Sequence, residues 1–161
     1  MRNHVRHLAH GAVLAALYVA LTHMQNLLLP GSATWAVQLR LSEALCVLAF
    51  FTPAAAPGLA VGCLIFNLTY AAALPLDAIV GSLATWLACR CMWHLRHKPF
   101  LGLAMPALWN ALLVGWELTV YIGGGFLLNA GLVALGELIV LFTFGAVLAA
   151  VIRRRGLAQF L

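Results

Sequence analysis

Four residues of this chain carry a negative charge, Glu43, Asp77, Glu117 and Glu137, and each lies in or beside a long apolar run. An acid at the centre of a membrane helix costs about 2.5 to 3.5 kcal/mol on insertion scales, so each is a functional candidate by default. Arg40 and Glu43 are three apart and, if helical, can pair along one face. The remaining three acids either stay protonated or await a cation or a ligand rich in hydrogen-bond donors. Asn110, Glu117 and Tyr121 recur at seven and four residues, so one helical stripe presents an amide, a carboxylate and a phenol, with Trp116 beside it. Asn67 stands three residues before Tyr70, and Glu137 follows Gly136, where a missing side chain permits close approach. A flat, polar ligand that tolerates aromatic neighbours suits this set.

A blander role stands beside each of these. Asn67 and Asn110 can serve as interhelical hydrogen-bond glue. Asp77, two residues after Pro75, can cap a helix N-terminus. Glu43, Glu117 and Glu137 as a group are read as functional.

The elements that must position these residues follow from composition. Of 161 residues 65% are apolar and 8% formally charged, and the mean hydropathy is +1.02. Those values exclude a soluble globular domain. The reading is an all-α integral membrane protein, one domain over 1–161, with six transmembrane spans near 8–29, 36–52, 57–74, 77–93, 100–122 and 126–152. Pro30-Gly31, Pro53 with Pro57-Gly58, Leu74-Pro75 and Gly123-Gly124-Gly125 punctuate the runs. Arg2 and Arg6 invite comparison with a secretory leader, but the apolar run from Leu8 to Leu29 is long for one and is kept as a span.

Arg2 and Arg6 precede span one, Arg90, Arg96 and Lys98 follow span four, and Arg153, Arg154 and Arg155 follow span six. The three clusters share a side when an even number of spans separates them, which puts both termini in the cytoplasm. Arg40 alone among the nine basic residues then lies in the outer half, together with all four acids. The basic residues are topology signals, and no nucleic acid is expected as a partner. Trp35, Trp93 and Trp109 are read as interface anchors.

Cys46, Cys63, Cys89 and Cys91 form no CxxC pair and read as buried apolar thiols. His4, His7 and His10 share a helical face, read as a cytoplasmic lead-in in preference to a metal site. Lys98 follows no glycine-rich loop, and neither HExxH nor GxSxG occurs, so no enzyme activity, cofactor or metal is expected. Ala12, Ala16 and Ala20 recur every fourth residue, with Gly11 and Ala15 alongside, which makes a smooth ridge for a neighbouring helix of this chain or of a partner.

Arg40-Leu41-Ser42-Glu43, Phe51-Thr52-Pro53, Pro57-Gly58-Leu59, Gly62-Cys63, Asp77, Gly81-Ser82, Ala84-Thr85, Asn110, Val114-Gly115, Glu117-Leu118 and Leu135-Gly136-Glu137 together resemble the QueT family over residues 12 to about 145. That resemblance implies a substrate-binding S component of an energy-coupling factor (ECF) transporter, assigned to queuosine precursors of the 7-deazaguanine type. It implies partners too: a transmembrane coupling subunit (the T component) carrying two ATPases, in a prokaryotic inner membrane. It implies docking through Ala12, Ala16 and Ala20, and a ligand-covering loop from Gln25 to Trp35. Trp116 and the histidine-rich N-terminus have no place in the family pattern.

A guanine-like edge offers two parallel N–H donors that one carboxylate accepts together, and an aminomethyl substituent adds a cation for a second acid. Glu43, Glu117 and Glu137 are therefore the expected prime ligands, with Arg40, Asn67, Asn110, Tyr121 and Asp77 in support. Two rivals stand beside this reading: a self-contained proton-coupled carrier working by alternating access, and a non-transporting assembly protein that recruits a partner through the alanine ridge.

Overall fold

The computed structural model describes residues 2–32, 37–71 and 73–160. Trp35, and the loop around it, lie outside the described residues. Among the described residues every regular element is helical: α1 Arg2–Leu28, a 3-10 helix Leu41–Phe50, α2 Ala55–Thr69, α3 Asp77–His94, α4 Pro99–Leu103, α5 Met105–Tyr121, α6 Phe126–Val140 and α7 Ala146–Arg154. A single π turn, Leu141–Gly145, joins α6 to α7 without a break, and a short 3-10 turn, Leu157–Phe160, follows.

Three of these stretches, His4–Leu28, Pro99–Tyr121 and Phe126–Arg154, are long and apolar enough to cross a membrane. The expected span over 36–52 is different. Its helix begins only at Leu41 and is a 3-10 helix of ten residues, about 20 Å long at 2.0 Å per residue. The expected span over 57–74 ends at Thr69, where Tyr70 turns to extended backbone. In both places the apolar run continues past the hydrogen-bonded helix, because hydropathy alone does not register where backbone pairing stops.

Burial runs opposite to that of a water-soluble protein. Leu27, Leu127 and Phe100 are exposed, whereas Thr22, Gln25, Asn26, Arg40, Glu43, Asn67, Asp77, Asn110, Glu117 and Glu137 are buried. Apolar side chains outward and polar ones inward is the arrangement that a hydrocarbon solvent favours. The helices approach closely where side chains are small. A Cβ on Gly58 of α2 would lie 2.6 Å from the Gly11 carbonyl oxygen of α1, and one on Gly62 would lie 2.9 Å from the Ala15 carbonyl oxygen. Gly123 and Gly124, at φ 88° and 83°, make the reversal between α5 and α6, a region closed to most residues that carry a Cβ.

The apolar core joins α1, the 3-10 helix, α2 and the π turn through Leu14, Leu45, Val47, Leu59, Phe66 and Leu141. A smaller cluster, Val114, Leu118 and Val133, packs α5 on α6. Cys46, Cys63 and Cys89 are free buried thiols, as expected, and Cys91 is half-buried.

Candidate functional site

The polar interior is built from six helices and the segment 37–40. From α1, Tyr18 donates its hydroxyl hydrogen to Glu43 at 2.5 Å, and Thr22 donates to Ser42 at 2.7 Å. Gln25 donates to Ser32 at 2.8 Å and to the Leu39 carbonyl, and accepts from the Leu41 N–H at 2.8 Å. Its one amide thereby ties the extended segment 37–40 back onto α1. Glu43 is filled on both oxygens, since the Cys46 thiol donates to the second at 3.1 Å.

Segment 37–40 carries Arg40 inward, fully buried beside α3, so that a Cβ on Gly81 would meet the guanidinium at 3.8 Å and the Asn67 amide nitrogen at 3.0 Å. On α2, Asn67 donates to the Asp77 carbonyl at 2.8 Å. Asp77 itself accepts from the Leu74 N–H at 2.7 Å. The expected forward cap is therefore absent: the carboxylate pairs backward into the turn before α3 and makes no capping bond to that helix. On α5 and α6, Asn110 donates to Glu137 at 3.0 Å across the helix pair.

Several buried acceptors have no hydrogen-bond partner among the described residues. They are both oxygens of Glu117, Oε2 of Glu137, Oδ1 of Asn67 and Oδ1 of Asn26. Glu117 and Glu137 are 0% and 2% exposed. An unmatched buried polar group costs about 1 to 3 kcal/mol, more when charged, so a cluster of them in one interior calls for a donor. The charged groups acting on Glu117 are Asp77 and Arg40, whereas those acting on Glu137 are Glu43 and Arg40.

The structure thus brings together seven of the eight expected site residues, Arg40, Glu43, Asn67, Asp77, Asn110, Glu117 and Glu137. Tyr121 is not among them. It lies at the C-terminal end of α5 and is 43% exposed, and Trp116 is 49% exposed on the outer face. About three turns of regular spacing put Tyr121 on the stripe, but α5 ends there and the helix pair no longer covers it. Tyr18, Thr22, Gln25 and Asn26 belong to the interior and were missed. Their i, i+4, i+7, i+8 spacing within an otherwise apolar span was the available signal.

The ridge on α1 divides in two. Gly11 and Ala15 face Gly58 and Gly62 of α2, while Ala12, Ala16 and Ala20 are exposed. These three line an open apolar groove with Val61 and Ile65 of α2. A neighbouring cavity of about 510 Å³ continues it toward His4, His7 and Pro53. Neither reaches the buried carboxylates. Among the described residues no group of His, Cys, Asp or Glu is arranged to hold a metal ion. The loop expected to cover the ligand from Gln25 begins later, since α1 continues to Leu28 and Gln25 is one of its helical residues.

A family model described as QueT transporter matches residues 8–154, nearly the whole chain. The chain belongs to the QueT transporter family. Its apolar helices and inward polar residues are those of a multi-pass membrane protein, and family membership makes it a transport protein for a small molecule. No curated protein and no solved structure matches it.

Proposed function

We propose that this chain is the substrate-capture S component of an ECF importer, binding a queuosine precursor of the 7-deazaguanine type from outside the cell. The observation that carries the reading is the set of buried acceptors without partners, Glu117, Glu137 Oε2 and Asn67 Oδ1, around one arginine. A deazaguanine supplies what they lack: parallel N–H donors on its ring edge and, in amine-bearing members, a cation. In this reading the single domain spans a prokaryotic inner membrane six times with both termini in the cytoplasm. The short 3-10 helix and α2 line the site, and the exposed alanines of α1 dock on a T component that carries two ATPases.

The test is the melting temperature of the purified full chain in detergent against 7-deazaguanines, guanine, riboflavin and biotin. Selective binding to the folded state raises stability by about 2.7 kcal/mol at a hundredfold excess over Kd. A shift confined to the deazaguanines supports substrate capture, and no shift with any of them refutes it. Uptake by liposomes holding this chain alone, driven by a pH gradient, would instead establish a proton-coupled carrier that uses a buried glutamate. Uptake only when T component and ATPases are added supports the S component.

A further inference from the structure

Resting on that reading of the site, we infer that its two open glutamates act at opposite ends of the ligand: Glu117 reads the N–H edge of the deazaguanine ring, and Glu137, held by Asn110, selects a positively charged 7-substituent. The argument begins with separation. Asn110 and Glu117 both project inward from α5, seven residues apart, which is about 10 Å along a helix. Because Asn110 bonds Glu137 directly at 3.0 Å, Glu137 sits at the Asn110 end and Glu117 at the other. Their charged neighbours differ accordingly, Asp77 at one and Glu43 at the other, with Arg40 within range of both. A bicyclic ring with a one-carbon arm spans that interval.

The number of open oxygens then assigns the ends. Neither oxygen of Glu117 accepts a hydrogen bond from a donor among the described residues, the Asp77 carboxyl being the side chain it meets, and a carboxylate whose two oxygens lack donors accepts two parallel N–H donors as a fork. The N1–H and 2-amino group of a guanine edge present that pair. Asn67, whose Oδ1 is also open, stands at the same end, because its amide nitrogen bonds the Asp77 carbonyl at 2.8 Å. Glu137 has one oxygen taken by Asn110 and one open. A single acceptor cannot read a two-donor edge. It can receive one ammonium, and the Glu43 carboxylate nearby, filled by Tyr18 and Cys46, adds negative potential without competing for the hydrogen bond. A protonated amine gains from that end what a neutral group of equal size does not.

The experiment measures dissociation constants of the full-length chain in detergent for 7-aminomethyl-7-deazaguanine and its neutral 7-cyano analogue, in the native protein, Glu137→Gln and Glu117→Gln. The native protein is expected to prefer the amine at least tenfold. Glu137→Gln should bring the two ligands within threefold by losing the amine alone. Glu117→Gln should weaken both by at least tenfold and keep their ratio. Equal binding of both ligands by the native protein, or a ratio that survives Glu137→Gln and collapses in Glu117→Gln, overturns the inference while leaving deazaguanine capture intact. Absence of binding by either ligand to the native protein removes the proposed function and this inference together. Should Glu137→Gln fail to fold, Glu137→Asp keeps the charge but withdraws it by one methylene. It should lower the amine preference part-way, and an unchanged preference counts against the assignment.

Discussion

Gly136 offers the most direct link between the packing and the site. It precedes Glu137 on α6, and a Cβ built on it runs into the Gln38 carbonyl oxygen, with Gln38 C at 2.9 Å and N at 3.1 Å. Carbon atoms rest at about 3.5 to 4.0 Å from one another. The obstacle is backbone, so Gly136→Ala forces segment 37–40 or α6 to retreat by about half an ångström or more, judged against that spacing. Overpacking of this kind costs about 1 to 3 kcal/mol. Since the same segment delivers Arg40, the cost falls on the closed site, and at 1.4 kcal/mol per decade the ligand affinity drops about fivefold to 150-fold. The melting temperature of the unliganded chain should fall by about 2 to 12 °C, at 2 to 4 °C per kcal/mol for a chain of this length. The control is Gly131→Ala on the same helix, where an added Cβ meets nothing within 4 Å and helix propensity favours alanine by about 1 kcal/mol. Isothermal titration and thermal denaturation of both variants decide the matter. Wild-type affinity and stability in Gly136→Ala would refute the claim that segment 37–40 closes on α6.

Three further outcomes follow from other contacts. Tyr18→Phe deletes the donor to a buried Glu43 oxygen and should cost about 1.5 to 3 kcal/mol, the worth of a hydrogen bond to a charged group, read as a lower unfolding midpoint in detergent. Gln25→Ala releases Ser32, Leu39 and Leu41 at once, so the ligand's dissociation rate should rise by more than its association rate falls, measured by stopped-flow fluorescence or surface plasmon resonance. Ala16→Leu, on the exposed line of α1, should leave ligand affinity within twofold yet abolish uptake in liposomes that contain the coupling subunit and ATPases. Loss of ligand affinity in that variant would place Ala16 in the fold rather than on a docking face.

The acids were legible in the sequence because hydrocarbon makes each one conspicuous: Glu43, Asp77, Glu117 and Glu137 needed no structural knowledge to be singled out, and all four are buried together. The neutral polar residues of α1 were not, because Thr22, Gln25 and Asn26 stand near the end of a span, where such residues ordinarily meet headgroups and water. Only the segment folding back over them turns that end into interior. Asp77 was read as a forward cap from its place beside Pro75, but the turn at Leu74 presents its N–H first. Tyr121 keeps the helical spacing yet is exposed at the end of α5, since spacing fixes direction around the helix and says nothing of which neighbour covers it.

The 3-10 helix and segment 37–40 differ from the rest of the polar interior in how their backbone is paired. An α-helix across residues 37–50 would satisfy its backbone internally, and opening it would mean breaking a cooperative ladder. Extended backbone has no such internal pairing and is tolerated within a membrane protein only where other groups satisfy it or where it lines a cavity. Here one side chain, Gln25, serves both the Leu39 carbonyl and the Leu41 N–H, while a backbone bond runs from the Leu39 N–H to the Ser32 carbonyl. Segment 37–40 is thus held by a few exchangeable hydrogen bonds and by the close approach of Gln38 to Gly136. Separating those contacts costs less than unwinding an α-helix, so the part of the polar interior without regular α-helical pairing is the part that moves at least cost.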